Sequence, residues 1–169
     1  MTKIKGADSL NYKDALNLIK RLPGNENLIP VGSVASKQPI VNDLDFITTK
    51  SLEAYSNAFQ IQFPKTWRNM SLGEKRFDYY PLINDKKLVI NIWFSKPSEL
   101  STFYFAYAYP RNFVIAMRKR ASEMGYKLNQ YGIYLNNKKI NIKRVKEIFK
   151  ILDLEFRTPE QEYQKHPKK

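Results

Sequence analysis

Asp43 and Asp45, in the segment IVNDLDFITT (Ile40 to Thr49), stand out for their chemistry. Alternating residue types predict a strand over 40–49, with Leu44 and Phe46 on the opposite face from the two carboxylates. Side chains spaced i, i+2 on a strand project from one face, ~7 Å apart at the backbone. Two like charges so placed repel each other. A divalent cation between them makes the arrangement favourable, and hard carboxylate oxygens select Mg²⁺ or Mn²⁺. The pair alone also fits an exposed acidic edge, but it is preceded by Gly32 and Ser33 in VGSVASKQPIVNDLD. A glycine lets the backbone approach phosphate oxygens, and a serine hydroxyl can hydrogen-bond them. Lys37, in the same loop, offers a mobile positive charge.

A second position raises a question. In KKLVINIWF, Leu88, Ile90, Ile92 and Phe94 point one way along a predicted strand, and Val89, Asn91 and Trp93 the other. An unpaired buried amide is costly, so Asn91 has either a partner or a task.

These residues need elements to hold them. Ala15, Leu18, Ile19 and Leu22 have helical spacing within 10–24, and Pro23-Gly24 ends that helix. NLIPVGS leads into a first strand, 40–49 is a second, and AFQIQF (58–63) is expected as a third. RFDYYPLINDKKLVINIWF reads as a hairpin with its turn at Asn84-Asp85-Lys86-Lys87. After Phe94 the texture changes to a helix start and an aromatic segment ending at Pro110. A strong helix follows over 111–125 with Gly125 as its stop. A small hairpin turns at Asn136-Asn137, RVKEIFKILDLEF is a last short helix, and a Lys-rich tail carrying His166 closes the chain. Trp67 and Trp93 are expected to pack in the core rather than to stack on bases.

The chain has 169 residues, no cysteine, and 43% hydrophobic residues, enough for one domain or two small lobes. Absence of cysteine excludes disulfide scaffolds and thiolate metal sites and fits a reducing compartment. No apolar leader or span is evident, so an intracellular protein without a membrane partner is expected. The net charge of +13 favours a polyanionic partner, nucleic acid first. From Arg111 to Lys169 there are 15 basic and 6 acidic residues, so the excess lies in the last third.

At this point a resemblance becomes specific. The Gly-Ser loop followed by Asp-x-Asp is the pattern of the nucleotidyltransferase superfamily. NFVIAMRKRASEMGYKLNQYGIY and KEIFKILDLEF-x-TP resemble the C-terminal lobe of the family X DNA polymerases. The resemblance covers about 31–159 and is nearest to the smallest viral repair members, which consist of a palm and a C-terminal lobe.

The resemblance implies a mixed α/β fold: a nucleotidyltransferase palm with a mixed sheet (1–105), then a small basic thumb-like lobe (106–169). It implies gap-filling transfer from a dNTP to a primer 3′-hydroxyl, by a monomer using two Mg²⁺ ions, with Mn²⁺ as a substitute. Gapped or primer–template DNA and dNTP are the implied partners. A viral member would act in the host cytoplasm, in virus factories or in the virion.

Position by position, Gly32, Ser33 and Lys37 match the triphosphate-binding loop, and Asp43 and Asp45 match the two metal-bridging aspartates. Arg118 matches the arginine that reaches the template, with Asn129 and Tyr131 in the motif beside it. Tyr107 matches a ring under the nucleotide sugar, although the aromatic segment around it also fits plain packing. Arg111, Arg120, Lys127, Lys138, Lys139 and Lys143 are expected on DNA phosphates. In the family's turn an aromatic–proline bond can be cis, so a cis Tyr109–Pro110 bond is expected.

The third catalytic aspartate of the family falls at Asn91. An introduced isosteric substitution is preferred, because the loop, the Asp-x-Asp and the template arginine are intact. A natural loss in a DNA-binding module, and replacement by another acid such as Asp85 or Glu99, stay open. A template-independent transferase is disfavoured by Arg118 and LNQYG.

Overall fold

Asn11 starts the first helix: its side chain accepts a hydrogen bond from the Asp14 N–H at 2.8 Å and donates to the Asp14 carboxylate at 2.9 Å. This satisfies one of the N–H groups that every helix start leaves open. The computed structural model describes residues 7–64, 66–71 and 76–165. They form two compact units, 1–94 and 95–169. His166 lies outside the described residues, as does the side chain of Trp67.

The first unit runs β1 (Leu10–Asn11), α1 (Tyr12–Ile19), β2 (Ile29–Pro30), α2 (Gly32–Ala35), β3 (Ile40–Val41), β4 (Leu44–Thr48) and α3 (Leu52–Gln62). It continues through β5 (Thr66–Ser71), β6 (Arg76–Ile83), β7 (Lys86–Lys87) and β8 (Ile90–Phe94). The main sheet has the order β2-β4-β8-β6-β5, with β7 on β6. β4 and β8 are parallel and the other pairs antiparallel, so the sheet is mixed. Phe46, Phe59, Phe77, Tyr79, Ile90 and Ile92 are buried in its core together with Ala15 and Leu18 of α1.

Two expectations about this unit are corrected. The segment 58–63 is the end of helix α3, not a strand. Tyr55 and Phe59, four residues apart, are both buried, while Ile61 is 82% exposed. The i, i+4 face therefore prevails over the apparent alternation. Tyr79 fixes that helix end, its hydroxyl donating toward the Phe59 and Phe63 carbonyls at 3.0 and 2.7 Å. The expected strand over 40–49 is split: β3 pairs with β1, β4 joins the main sheet, and Asn42-Asp43 form the bend between them.

The second unit contains α4 (Leu100–Ala108), α5 (Arg111–Glu123), β9 (Tyr126–Asn129), β10 (Gly132–Leu135), β11 (Lys138–Ile140), α6 (Lys146–Ile151) and α7 (Pro159–Lys165). The expected boundary at 105/106 falls inside α4, and the compact units divide at Phe94/Ser95 instead. Phe105, Tyr109, Phe113 and Phe149 pack ring on ring at 5.2–6.3 Å. Gly125 ends α5 at φ +81°, a left-handed conformation that glycine adopts without a Cβ penalty.

The Tyr109–Pro110 bond is not cis; there is no cis peptide among the described residues. Tyr109 is extended (φ −88°, ψ 155°) and Pro110 caps α5. That is the ordinary preproline geometry, and trans is the intrinsically favoured isomer. The closing segment also holds a helix, α7, beyond the one expected last. No helix among the described residues is long and apolar enough to cross a membrane.

Candidate active site

β4 is buried along its whole length, and Asp45 is its one charged residue. β2 runs antiparallel beside it, and the Val31 N–H donates to the Asp45 carbonyl at 2.9 Å. This pairing delivers the next residue, Gly32, onto the Asp45 side chain. A Cβ at Gly32 would lie 2.8 Å from Asp45 Oδ2, and Gly32 has φ +58°. Both facts require glycine there. Ser33 follows, its hydroxyl 3.5 Å from the Asp43 carbonyl oxygen, a long contact. Ser36 Oγ donates to the Gly32 carbonyl at 2.9 Å, and Lys37, at φ +50°, turns the chain back toward β3. The Gly-Ser loop and both aspartates are thus assembled at one end of the sheet.

Asn91 answers the question its setting posed. It is the cross-strand partner of Asp45, is 3% exposed, and its Nδ2 donates to Asp45 Oδ1 at 2.8 Å. Its Oδ1 accepts from Arg76 Nη2 at 3.2 Å. Arg76 also pairs with Asp78 through Nε and stacks 4.5 Å over the Trp93 ring. Asp78 is 1% exposed and lies opposite Asn91 on the other side, in β6. Arg76 and Asp78 carry no role in the sequence reading, yet they complete a row of polar groups across three strands.

Burial pushes the Asp45 carboxyl from the ordinary 3.8 to about 7; the Asp43 charge adds to this and the Asn91 amide opposes it. Burial also raises Asp78, against the hydrogen bond and charge of Arg76. Among the described residues, no three carboxylate, imidazole or thiolate side chains converge as a metal cluster. The chain offers a hard cation the Asp43–Asp45 pair, beside a carboxylate that burial and a like charge both disfavour. A divalent ion relieves that combination, so the pair fits one; the residue beside Asp45 on β8 is the neutral amide of Asn91.

A stability prediction follows. A raised carboxyl pKa means that the fold favours the protonated form. The Asp45 contribution is complete below pH 3.8 and is lost as pH rises through about 7. Metal-free protein should lose melting temperature over this window, and Mn²⁺ should restore more of it at about pH 8 than at pH 6. Thermal melts of wild type and Asp45→Asn check this: an equal decline in the variant would clear Asp45 as the source.

In the second unit the predicted residues divide. Arg111, Lys127, Lys138 and Lys143 have exposed side chains. Lys139 is also exposed and lies 4.0 Å from the Glu99 carboxylate. Arg118 is half-buried, with its Nε enclosed and making no hydrogen bond. Tyr107 stacks on Phe103 at 5.6 Å, and Tyr131 meets Phe103 edge-on at 5.7 Å.

Arg120 and Asn129 are both engaged within their own unit. Arg120 donates to the Leu152 carbonyl at 2.6 Å and the Asp153 carbonyl at 3.3 Å, closing the end of α6. Asn129 Oδ1 accepts from the Tyr131 and Gly132 N–H groups at 2.8 and 3.1 Å. The LNQYG stretch is therefore the two-residue turn between β9 and β10, with asparagine shaping the backbone.

The family described as DNA polymerase beta thumb matches residues 110–162. Repair DNA polymerase X of African swine fever virus is 24% identical in a Malawi tick isolate, over 94% of this chain and 97% of the relative. In the Badajoz strain it is 25% identical, over 84% and 83%. Leishmania infantum polymerase beta in a ternary P/T complex superposes with a TM-score of 0.80 at 14% identity, covering 92% of this chain and 77% of that one. Its ternary gap complex gives the same score and identity, covering 92% and 71%. With a mixed sheet in the first unit, a thumb model matching 110–162 and viral relatives alike over most of its length, this chain is similar to the repair DNA polymerases X and shares the fold of polymerase beta.

Proposed function

We propose that the chain fills gaps in DNA, joining the α-phosphorus of a dNTP to a primer 3′-oxygen with release of pyrophosphate. The observation that carries this reading is the seating of Gly32 and Ser33 directly against Asp45 and Asp43. A phosphate-binding backbone and a cation-binding pair so close together suit a nucleoside triphosphate. Gly32, Ser33 and Lys37 take the triphosphate; Asp43, Asp45 and residue 91 hold two Mg²⁺ ions, or Mn²⁺. Such ions, when bound, activate the attacking hydroxyl and neutralise charge on the phosphates. Tyr107 backs the deoxyribose. Arg118 reaches the template, while Arg111, Lys127, Lys138, Lys139 and Lys143 meet backbone phosphates. The relatives support DNA as the partner, since the Leishmania structures are P/T and gap complexes.

Primer extension on one-nucleotide-gapped DNA tests the proposal, with the full chain as a monomer and Mg²⁺ or Mn²⁺. The expected product is one added nucleotide complementary to the template. A second reading, a DNA-binding module without catalysis, rests on the neutral amide at 91. Tight binding of gapped DNA with no addition in either metal would establish that module instead. Addition independent of template would reject both.

A further inference from the structure

The three-stranded sheet of the second unit has two unlike faces. Leu128 and Ile133 pair across β9 and β10, and both are buried. Residues adjacent to them in sequence project from the opposite face. There the register sets Lys127, Tyr134 and Lys139 in one row across β9, β10 and β11. Neighbouring strands lie ~4.8 Å apart, so each lysine starts one strand spacing from the tyrosine. Both lysines are exposed and Tyr134 is half-exposed. Phe103, Tyr107 and Tyr131 of the same unit are held in ring contacts. Tyr134 makes no ring contact and no hydrogen bond among the described residues.

Gly132 lies two residues before Tyr134 and shares its face. Its φ is outside the left-handed region, so the backbone does not demand a glycine there. The demand comes from the side chains above it. A Cβ on Gly132 would lie 2.8 Å from Lys139 Cε and 3.2 Å from Tyr134 Cε2 and Cζ. The tyrosine ring thus reaches back over bare backbone, with the end of the Lys139 stem beside it, and Gly132 is buried beneath them. Glu99 stands 4.0 Å from Lys139 Nζ, at the outer limit of an ion pair. Two lysines against that one carboxylate leave the row with a net positive charge.

We infer that this face of the sheet is a platform for single-stranded DNA. One base stacks on Tyr134, and the phosphates on either side of it meet Lys127 and Lys139. The inference extends the DNA contact proposed for these two lysines and rests on that part of the reading. Lysines alone would serve a duplex equally well, since phosphate contacts carry no preference for a base. The ring adds the preference: a base inside a duplex is already stacked, whereas an unpaired base has a free face. Aromatic groups flanked by positive charge bind single strands in this way, with little regard to sequence.

The test is fluorescence anisotropy of the full chain with two labelled probes, a single-stranded oligodeoxythymidylate and a blunt, fully paired duplex. Tyr134→Leu should weaken the single strand about tenfold, the scale of one stacked base, and the duplex by less than about twofold. Tyr134→Phe keeps the ring and should bind both probes as wild type does. Gly132→Ala pushes the ring off the backbone and should weaken the single strand selectively. Lys127→Gln and Lys139→Gln should each lower the salt slope for the single strand by ~0.7, one phosphate contact apiece. If Tyr134→Leu loses both probes equally, or neither, the inference is overturned. Should that variant fail to fold, unchanged single-strand binding by Gly132→Ala together with unchanged salt slopes overturns it. Wild-type primer extension on gapped DNA separates this failure from that of the polymerase reading. Extension with no Tyr134 effect removes the platform alone. A Tyr134-dependent preference for single strands without extension removes the polymerase reading and leaves the platform.

Discussion

Asp45→Asn is expected to reduce nucleotide addition on gapped DNA by ~10³-fold or more while raising the melting temperature of the metal-free protein. The loss follows from the proposed function: if Asp45 holds a metal ion, that ligand is worth several kcal/mol, and each ~1.4 kcal/mol is a factor of ten in rate. The gain follows from burial. The carboxyl is 9% exposed with its pKa raised to about 7, so at pH 8 the fold holds a charge that it disfavours. An asparagine keeps the volume and an oxygen able to accept from Asn91 Nδ2, now 2.8 Å from Oδ1, and carries no charge. A stability gain paired with lost function is the signature of a residue kept for its task. Single-turnover extension and thermal melts at pH 8 without divalent ions measure the two effects. A variant that loses both stability and activity would mean that Asp45 is structural.

The neighbouring loop makes the same case sterically. At Gly32 the backbone conformation and the 2.8 Å approach of Asp45 Oδ2 to a virtual Cβ coincide. Neither needs the other for folding, since a turn can use glycine without a carboxylate beside it. Their coincidence brings backbone and carboxylate to one spot, as a shared ligand requires.

Much of this was legible in the sequence because it is local. The Asp-x-Asp spacing, the Gly-Ser ahead of it, the Gly125 stop and the Asn136-Asn137 turn each depend on a few adjacent residues. What could not be read there depended on register or on competing periods. Alternation in 58–63 mimics a strand, and only the partners of Phe59, Phe77 and Tyr79, show that a helix face is in use.

Asp78 escaped for a subtler reason. With a four-residue turn over 84–87, Asn91 pairs with Tyr80. The structure tightens the turn to Asn84-Asp85, both with positive φ, and the pairing moves to Asp78. Asn-Asp in left-handed conformations is the signature of a two-residue hairpin turn. That signal was present and would have placed the acid beside the amide. Arg120 and Asn129 show the same limit: the sequence does not reveal that both side chains bond backbone groups of their own lobe.

Asn91→Asp has the opposite sign from Asp45→Asn and distinguishes the readings of position 91. Without metal it places a second carboxylate where Nδ2 now donates to Asp45, removing a buried hydrogen bond and adding repulsion. A loss of ~1–3 kcal/mol of stability is expected from the unsatisfied group. With Mg²⁺ the added charge strengthens ion binding and supplies a proton acceptor, a contribution generally worth about 10²–10⁴-fold. A gain of that order in nucleotide addition is expected, measured by primer extension on one-nucleotide-gapped DNA. No gain, with gapped DNA still bound, would leave a protein that holds DNA without extending it.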